Sequence, residues 1–149
     1  RALRESLRID TLATINIDND YGVGTVGALT GAFSSSGGTI ALANTFAPGE
    51  TDFRSILLKL RARPELPVYL AVYPTDGALL LKQARELGLT NRFIASVAII
   101  GGREFFEVAG DAAEGLLVAS TPPSTGSTFA ERYAARFFED TATTEIYTY

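Results

Sequence analysis

The chain has 149 residues, 46% hydrophobic and 20% charged, with a formal net charge of −4. This is the composition of one soluble globular domain, long enough to bury roughly 68–70% of its unfolded surface, and its scattered basic residues argue against a nucleic-acid partner. Cysteine and histidine are absent, which excludes thiolate nucleophiles, zinc held by sulfur or imidazole and imidazole acid–base catalysis, while no apolar run approaches the ~20 residues of a membrane-spanning helix.

In chain order, apolar runs predict strands at 11–17 (TLATINI), 39–46 (TIALANTF), 67–73 (PVYLAVY), 92–97 (RFIASV) and 115–120 (GLLVAS). Several are almost continuously apolar, as strands covered on both faces should be. Helical patterns lie between them. Phe53, Ile56, Leu57 and Leu60 follow the i, i+3, i+4, i+7 spacing, and Leu80, Ala84 and Leu87 repeat it with Lys82, Arg85 and Glu86 left for water. Thr51 and Ser127 are expected N-caps, because their hydroxyls can accept from first-turn amides. Gly37-Gly38 and Gly88 stand where helices should end. Pro122-Pro123 marks a loop before a last helix carrying Phe129, Tyr133 and Phe137. Regular strand–helix alternation predicts an α/β fold: a three-layer αβα sandwich around a mostly parallel sheet, forming one unit over residues 1–149. Methionine is absent, the chain opens on Arg1, and Glu145–Tyr149 begins a further ordered segment. The chain is therefore expected to be a piece of a longer protein.

The loop after the first strand, Asp18-Asn19-Asp20-Tyr21-Gly22-Val23-Gly24, lies where open α/β sheets bind ligands. Gly22, Gly24 and Gly27 give the G-x-G-x-x-G outline of a dinucleotide fingerprint. However, four polar residues separate Ile17 from the first glycine, and the second strand ends Asn44-Thr45-Phe46 without the ribose-binding acid. A calcium loop starting at Asp18 lacks its glutamate, with Leu29 at the twelfth position. A phosphoacceptor receiver domain needs an aspartate ending the third strand and a lysine ending the fifth. Asp76 lies three residues beyond Tyr73, and Ser120-Thr121-Pro122 has no lysine. The remaining reading is that Tyr21 lines a solute cleft, offering a broad apolar ring and a hydroxyl.

Four blocks in register, NDYGVG (19–24), PGETDF (48–53), YPTDGALLLKQARELGL (73–89) and AGDAAEGLLV (109–118), resemble the branched-chain amino-acid-binding type of periplasmic solute-binding protein. These are the ligand-capturing subunits of ABC importers. The resemblance implies the second lobe of a type I periplasmic binding fold, closing by a hinge over a small solute held against a first lobe. Implied partners are that lobe of the same chain and the permease subunits. It further implies a monomer without cofactor, metal or catalytic residues, periplasmic or extracellular and in some cases lipid-anchored. The alternatives are a ligand-sensing receptor ectodomain sharing this fold, or a stand-alone flavodoxin-like regulatory domain.

The resemblance makes Tyr21 the aromatic residue that covers the ligand and places a second one near Val72, with Tyr73 the replacement in this chain. Asp76 is a candidate partner for a ligand amine, although an acid in a first helical turn also suits the helix dipole. Ser96 and Val97, at the end of the fourth strand, complete the set. Amino-acid binders of the family carry a carboxylate near Val97 for the ligand ammonium, and Val97, Ala98, Ile99 and Ile100 supply none. The expected ligand is a branched-chain amino acid or a related small organic solute. A desolvated ammonium needs a compensating charge, so a neutral or anionic solute such as an aromatic acid, a keto acid or an amide is the alternative. Thr51, Asp52, Phe53 and the Gly110–Gly115 turn are read as structural.

Overall fold

A computed structural model describes residues 2–119 and 147–148. Its elements are α1 (Ala2–Glu5), β1 (Thr11–Ile17), α2 (Asp20–Ser35), β2 (Thr39–Phe46), α3 (Arg54–Arg61), β3 (Val68–Ala71), α4 (Pro74–Glu86), β4 (Phe93–Ser96), α5 (Arg103–Ala109), β5 (Leu117–Ala119) and β6 (Tyr147–Thr148). One six-stranded sheet runs in the order β2-β1-β3-β4-β5-β6. All neighbours are parallel except β6, which pairs antiparallel with β5. The expected last helix and the Ser127 cap lie outside the described residues.

Alternation along the strands divides the core in two. Ala13, Ile15 and Ile17 of β1 point with Val68 and Leu70 of β3 towards Leu57, Leu60, Ala78, Leu81 and Phe105 of α3, α4 and α5. Leu12, Tyr69, Ala71 and Ile94 point the other way, onto Phe33, Val26 and Leu29 of α2. This is the period-two rule acting on strands that are buried on both faces. The edge strand β2 is different: Thr39, Ala41, Ala43 and Thr45 are exposed while Asn44 and Phe46 are buried.

Two boundaries differ from expectation for local reasons. The third strand stops at Ala71, because Pro74 takes the first position of α4 and holds Tyr73 extended at φ −83°, ψ 167°; proline disfavours a helical residue before it and suits a helix start. Thr51 is not an N-cap: α3 begins at Arg54, and its N-cap is Phe53, with no side-chain capping bond. The Thr51–Phe53 segment is held from outside. Gln83 of α4 accepts from the Phe53 amide at 2.8 Å and donates to the Thr51 carbonyl at 2.7 Å. Local propensity names a cap, but a buried side chain from thirty residues away satisfies the backbone instead.

Candidate ligand-binding edge

The connection from β1 leads to β2 on one side of it, and the connection from β3 leads to β4 on the other. The two strands are neighbours, so their carboxyl ends open a crevice at the point where the strand order reverses. Three predicted residues converge there.

Tyr21 is placed by how α2 starts. Asn19 is extended at φ −153°, and its side-chain oxygen accepts from the Gly22 amide at 2.9 Å, a regular N-cap. Gly22 then passes directly over the end of β1: a Cβ there would stand 2.0 Å from the Ile17 carbonyl oxygen. Gly24 and Gly27 face open space by the same measure. The G-x-G-x-x-G outline therefore holds one glycine under steric demand, and that demand comes from Ile17. The tight approach brings Tyr21, the residue before Gly22, over the strand ends.

There the Tyr21 ring stacks on Tyr73, with centroids 5.0 Å apart and planes 23° from parallel. Its hydroxyl makes a 2.5 Å hydrogen bond with the Ser96 hydroxyl at the end of β4. A residue from the β1 loop thus reaches across the end of β3 and touches β4. Tyr73 is 42% exposed beside it. Val97, also at this edge, is 51% exposed and starts a 3₁₀ turn, Val97–Ile100, whose Ile99 is buried.

Val72 does not join them. It is fully buried in the core shared with α3, α4 and α5, because side chains alternate faces and Tyr73 takes the outward direction. The aromatic position of this edge is Tyr73, and Val72 is corrected to a packing residue. Asp76 sits in the first turn of α4, half-buried and without a hydrogen bond or ion pair among the described residues. Burial raises its carboxyl pKa above the ordinary aspartate value.

One residue escaped the sequence reading. Tyr69 of β3 is buried on the α2 face, and its hydroxyl pKa is pushed up to about 12, first by burial and then by the nearby Tyr21 hydroxyl. The alternation of Tyr69 with Val68 and Leu70 along β3 places it with Ala71 on the α2 face of the sheet. Among the described residues no cluster of acids could hold a metal ion. The edge offers aromatic faces, hydroxyls, apolar surface and one desolvated acid, a set suited to holding a small organic molecule.

The chain is thus a mostly parallel open α/β sheet with aromatic and hydroxyl groups gathered at its switch point. The chain belongs to the periplasmic binding protein family, whose model matches residues 1–149. Among curated relatives, it is similar to the leucine-, isoleucine-, valine-, threonine- and alanine-binding protein of Pseudomonas aeruginosa, 30% identical over 115 residues, covering 77% of this chain and 31% of that protein. The Leu/Ile/Val-binding protein of Escherichia coli is 25% identical over 114 residues, covering 76% and 31%. Among solved structures, a leucine-binding protein from Thermotoga maritima superposes with a TM-score of 0.71 at 25% identity, covering 93% of this chain and 41% of that one. A putative branched-chain amino acid ABC transporter protein from Rhodospirillum rubrum gives 0.74 at 22%, covering 91% and 40%. The chain thus spans about a third of the length of the curated relatives it matches. These relatives are binding proteins by name, and the neighbours share the α/β fold.

Proposed function

We propose that this chain is one lobe of a two-lobed solute-binding protein that delivers a small organic solute to an ABC importer. The observation that carries this reading is the convergence of Tyr21, Tyr73 and Ser96 on the switch-point crevice of a periplasmic binding protein chain. The solute sits between this edge and a second lobe of the same protein, and hinge closure buries it. The protein does no chemistry on its cargo. It works outside the cytoplasm, in the periplasm or at the cell surface, and its other partner is the permease.

The solute class is that of branched-chain amino acids or a related small organic molecule. Val97 supplies no charge for an ammonium group, and among the described residues the half-buried acid is Asp76. A titration panel for the full-length protein therefore includes leucine, a branched 2-keto acid, an aromatic acid and an amide. Calorimetry should show saturable binding of at least one of them. Tyr21→Ala should weaken that binding at least tenfold with little change in melting temperature. An unchanged dissociation constant with a large drop in melting temperature would make the ring a core residue. Stabilisation by NAD, or by Mg²⁺ with acetyl phosphate, would overturn the transport reading. The 149-residue chain alone should bind leucine more weakly than millimolar, because half of the contacts are missing; submillimolar affinity would refute the two-lobe arrangement.

A further inference from the structure

Tyr21 and Tyr73 are both tyrosines at the same edge, yet their hydroxyls stand differently. That of Tyr21 is hydrogen-bonded to the Ser96 hydroxyl at 2.5 Å. The Tyr73 hydroxyl has no hydrogen-bond partner among the described residues, and the residue is 42% exposed. We propose that Ser96 is a positioning residue: it locks Tyr21 against Tyr73, so that Tyr73 presents a fixed ring face and the wall's free hydroxyl to the solute. This rests on the solute-binding reading above and adds a division of labour within it.

Three observations support the lock. Ser96 terminates β4, whose register with β3 is fixed by the pairs Val68↔Phe93 to Leu70↔Ala95, so the serine is anchored to the sheet rather than to a loop. Tyr21 is anchored at the other end by the Asn19 cap and the Gly22 contact. The hydroxyl bond therefore closes a ring of constraints running from β1 through α2 to β4. The 23° stack on Tyr73 is the arrangement such closure imposes.

Fixing a ring before the ligand arrives removes the cost of ordering it on binding. Releasing it should raise that cost without removing any ligand contact. Serine contacts Tyr21 rather than the solute, so Ser96→Ala and Tyr21→Phe should do the same thing, and the double variant should do little more. Tyr73→Phe should behave independently, because it removes the free hydroxyl.

The test uses the full-length protein and the solute identified in the panel above. Near-ultraviolet circular dichroism of the ligand-free protein reads the tyrosine stack directly. Ser96→Ala should change the tyrosine band and weaken binding about three- to tenfold, the range expected for one hydrogen bond. Ser96→Thr, which keeps the hydroxyl, should restore both. Tyr21→Phe combined with Ser96→Ala should bind no more weakly than either single variant by more than a factor of about two. An unchanged tyrosine band in Ser96→Ala, unchanged affinity, or additive losses in the double variant would each overturn the lock. Failure of the wild-type protein to bind any member of the panel would instead count against the solute-binding reading, and the dichroism would still decide whether the lock exists.

Discussion

Replacing Gly22 with alanine tests how the edge is assembled. The added Cβ would sit 2.0 Å from the Ile17 carbonyl oxygen and 2.9 Å from Ile17 Cγ2, against an ordinary contact of 3.4 Å or more. The obstacle cannot swing aside. It is backbone, held at the end of β1, and it accepts from the Asn19 amide at 3.0 Å and the Asn16 side chain at 3.1 Å. Overpacking costs about 1–3 kcal/mol, and a rigid obstacle puts this site at the upper end. Alanine recovers about 1 kcal/mol of helix propensity, leaving a net loss of about 2 kcal/mol, or roughly 4–8 °C in melting temperature for a unit of this size. Gly27→Ala is the matched control in the same helix, with nothing within 4 Å of its Cβ. It should gain about 1 kcal/mol, raising the melting temperature by about 2–4 °C. Thermal unfolding by far-ultraviolet dichroism compares the two directly. If Gly22→Ala melts at or above the wild type, the close approach of α2 to β1 is not what the glycine serves.

Three further outcomes follow from buried polar groups. Gln83→Leu should cost about 2–4 kcal/mol in urea unfolding, since it strands the Phe53 amide and the Thr51 carbonyl; a loss below 1 kcal/mol would mean that water replaces the clamp. In an alkaline titration followed at 295 nm, one tyrosine should ionise late, near pH 12, and Tyr69→Phe should abolish that step. Because the folded-state pKa is raised above the unfolded value of about 10, Tyr69 contributes stability that is complete below pH 10 and lost as pH rises towards 12. Complete ionisation of every tyrosine by pH 11 would contradict this. For Asp76, a raised folded pKa means that folding disfavours its charged form, a penalty that is absent at low pH and grows as pH rises through the aspartate range. Asp76→Asn should therefore raise the melting temperature at pH 7 and leave it unchanged below about pH 3; a lower melting temperature at pH 7 would show that the helix-dipole contribution dominates.

Much of the scaffold could be read from local pattern. The β1–β5 runs, the amphipathic face of α4 and the positive φ of Gly37 and Gly88, 84° and 69°, all follow from nearest-neighbour chemistry. The loop after β1 could also be singled out as the candidate edge, because open α/β sheets bind ligands beyond the carboxyl ends of their strands. What was misread involves partners distant in sequence. Thr51 has the chemistry of a cap, but Gln83 makes capping unnecessary. Val72 and Tyr73 are adjacent, and only the point where β3 releases the chain decides which one faces out.

By itself, the sequence determined where β1–β5 and the helices α2–α4 between them lie, that the sheet is mostly parallel, and that one aromatic residue stands at the first strand end. Those properties depend on period, volume and backbone freedom within a few residues. Tertiary structure alone decided that Gly22 answers to Ile17, that Tyr21 stacks on Tyr73, and that its hydroxyl bonds to Ser96. Each of these is a contact between segments that meet only because the strand order reverses between β1 and β3, and strand order is a property of the whole folded chain.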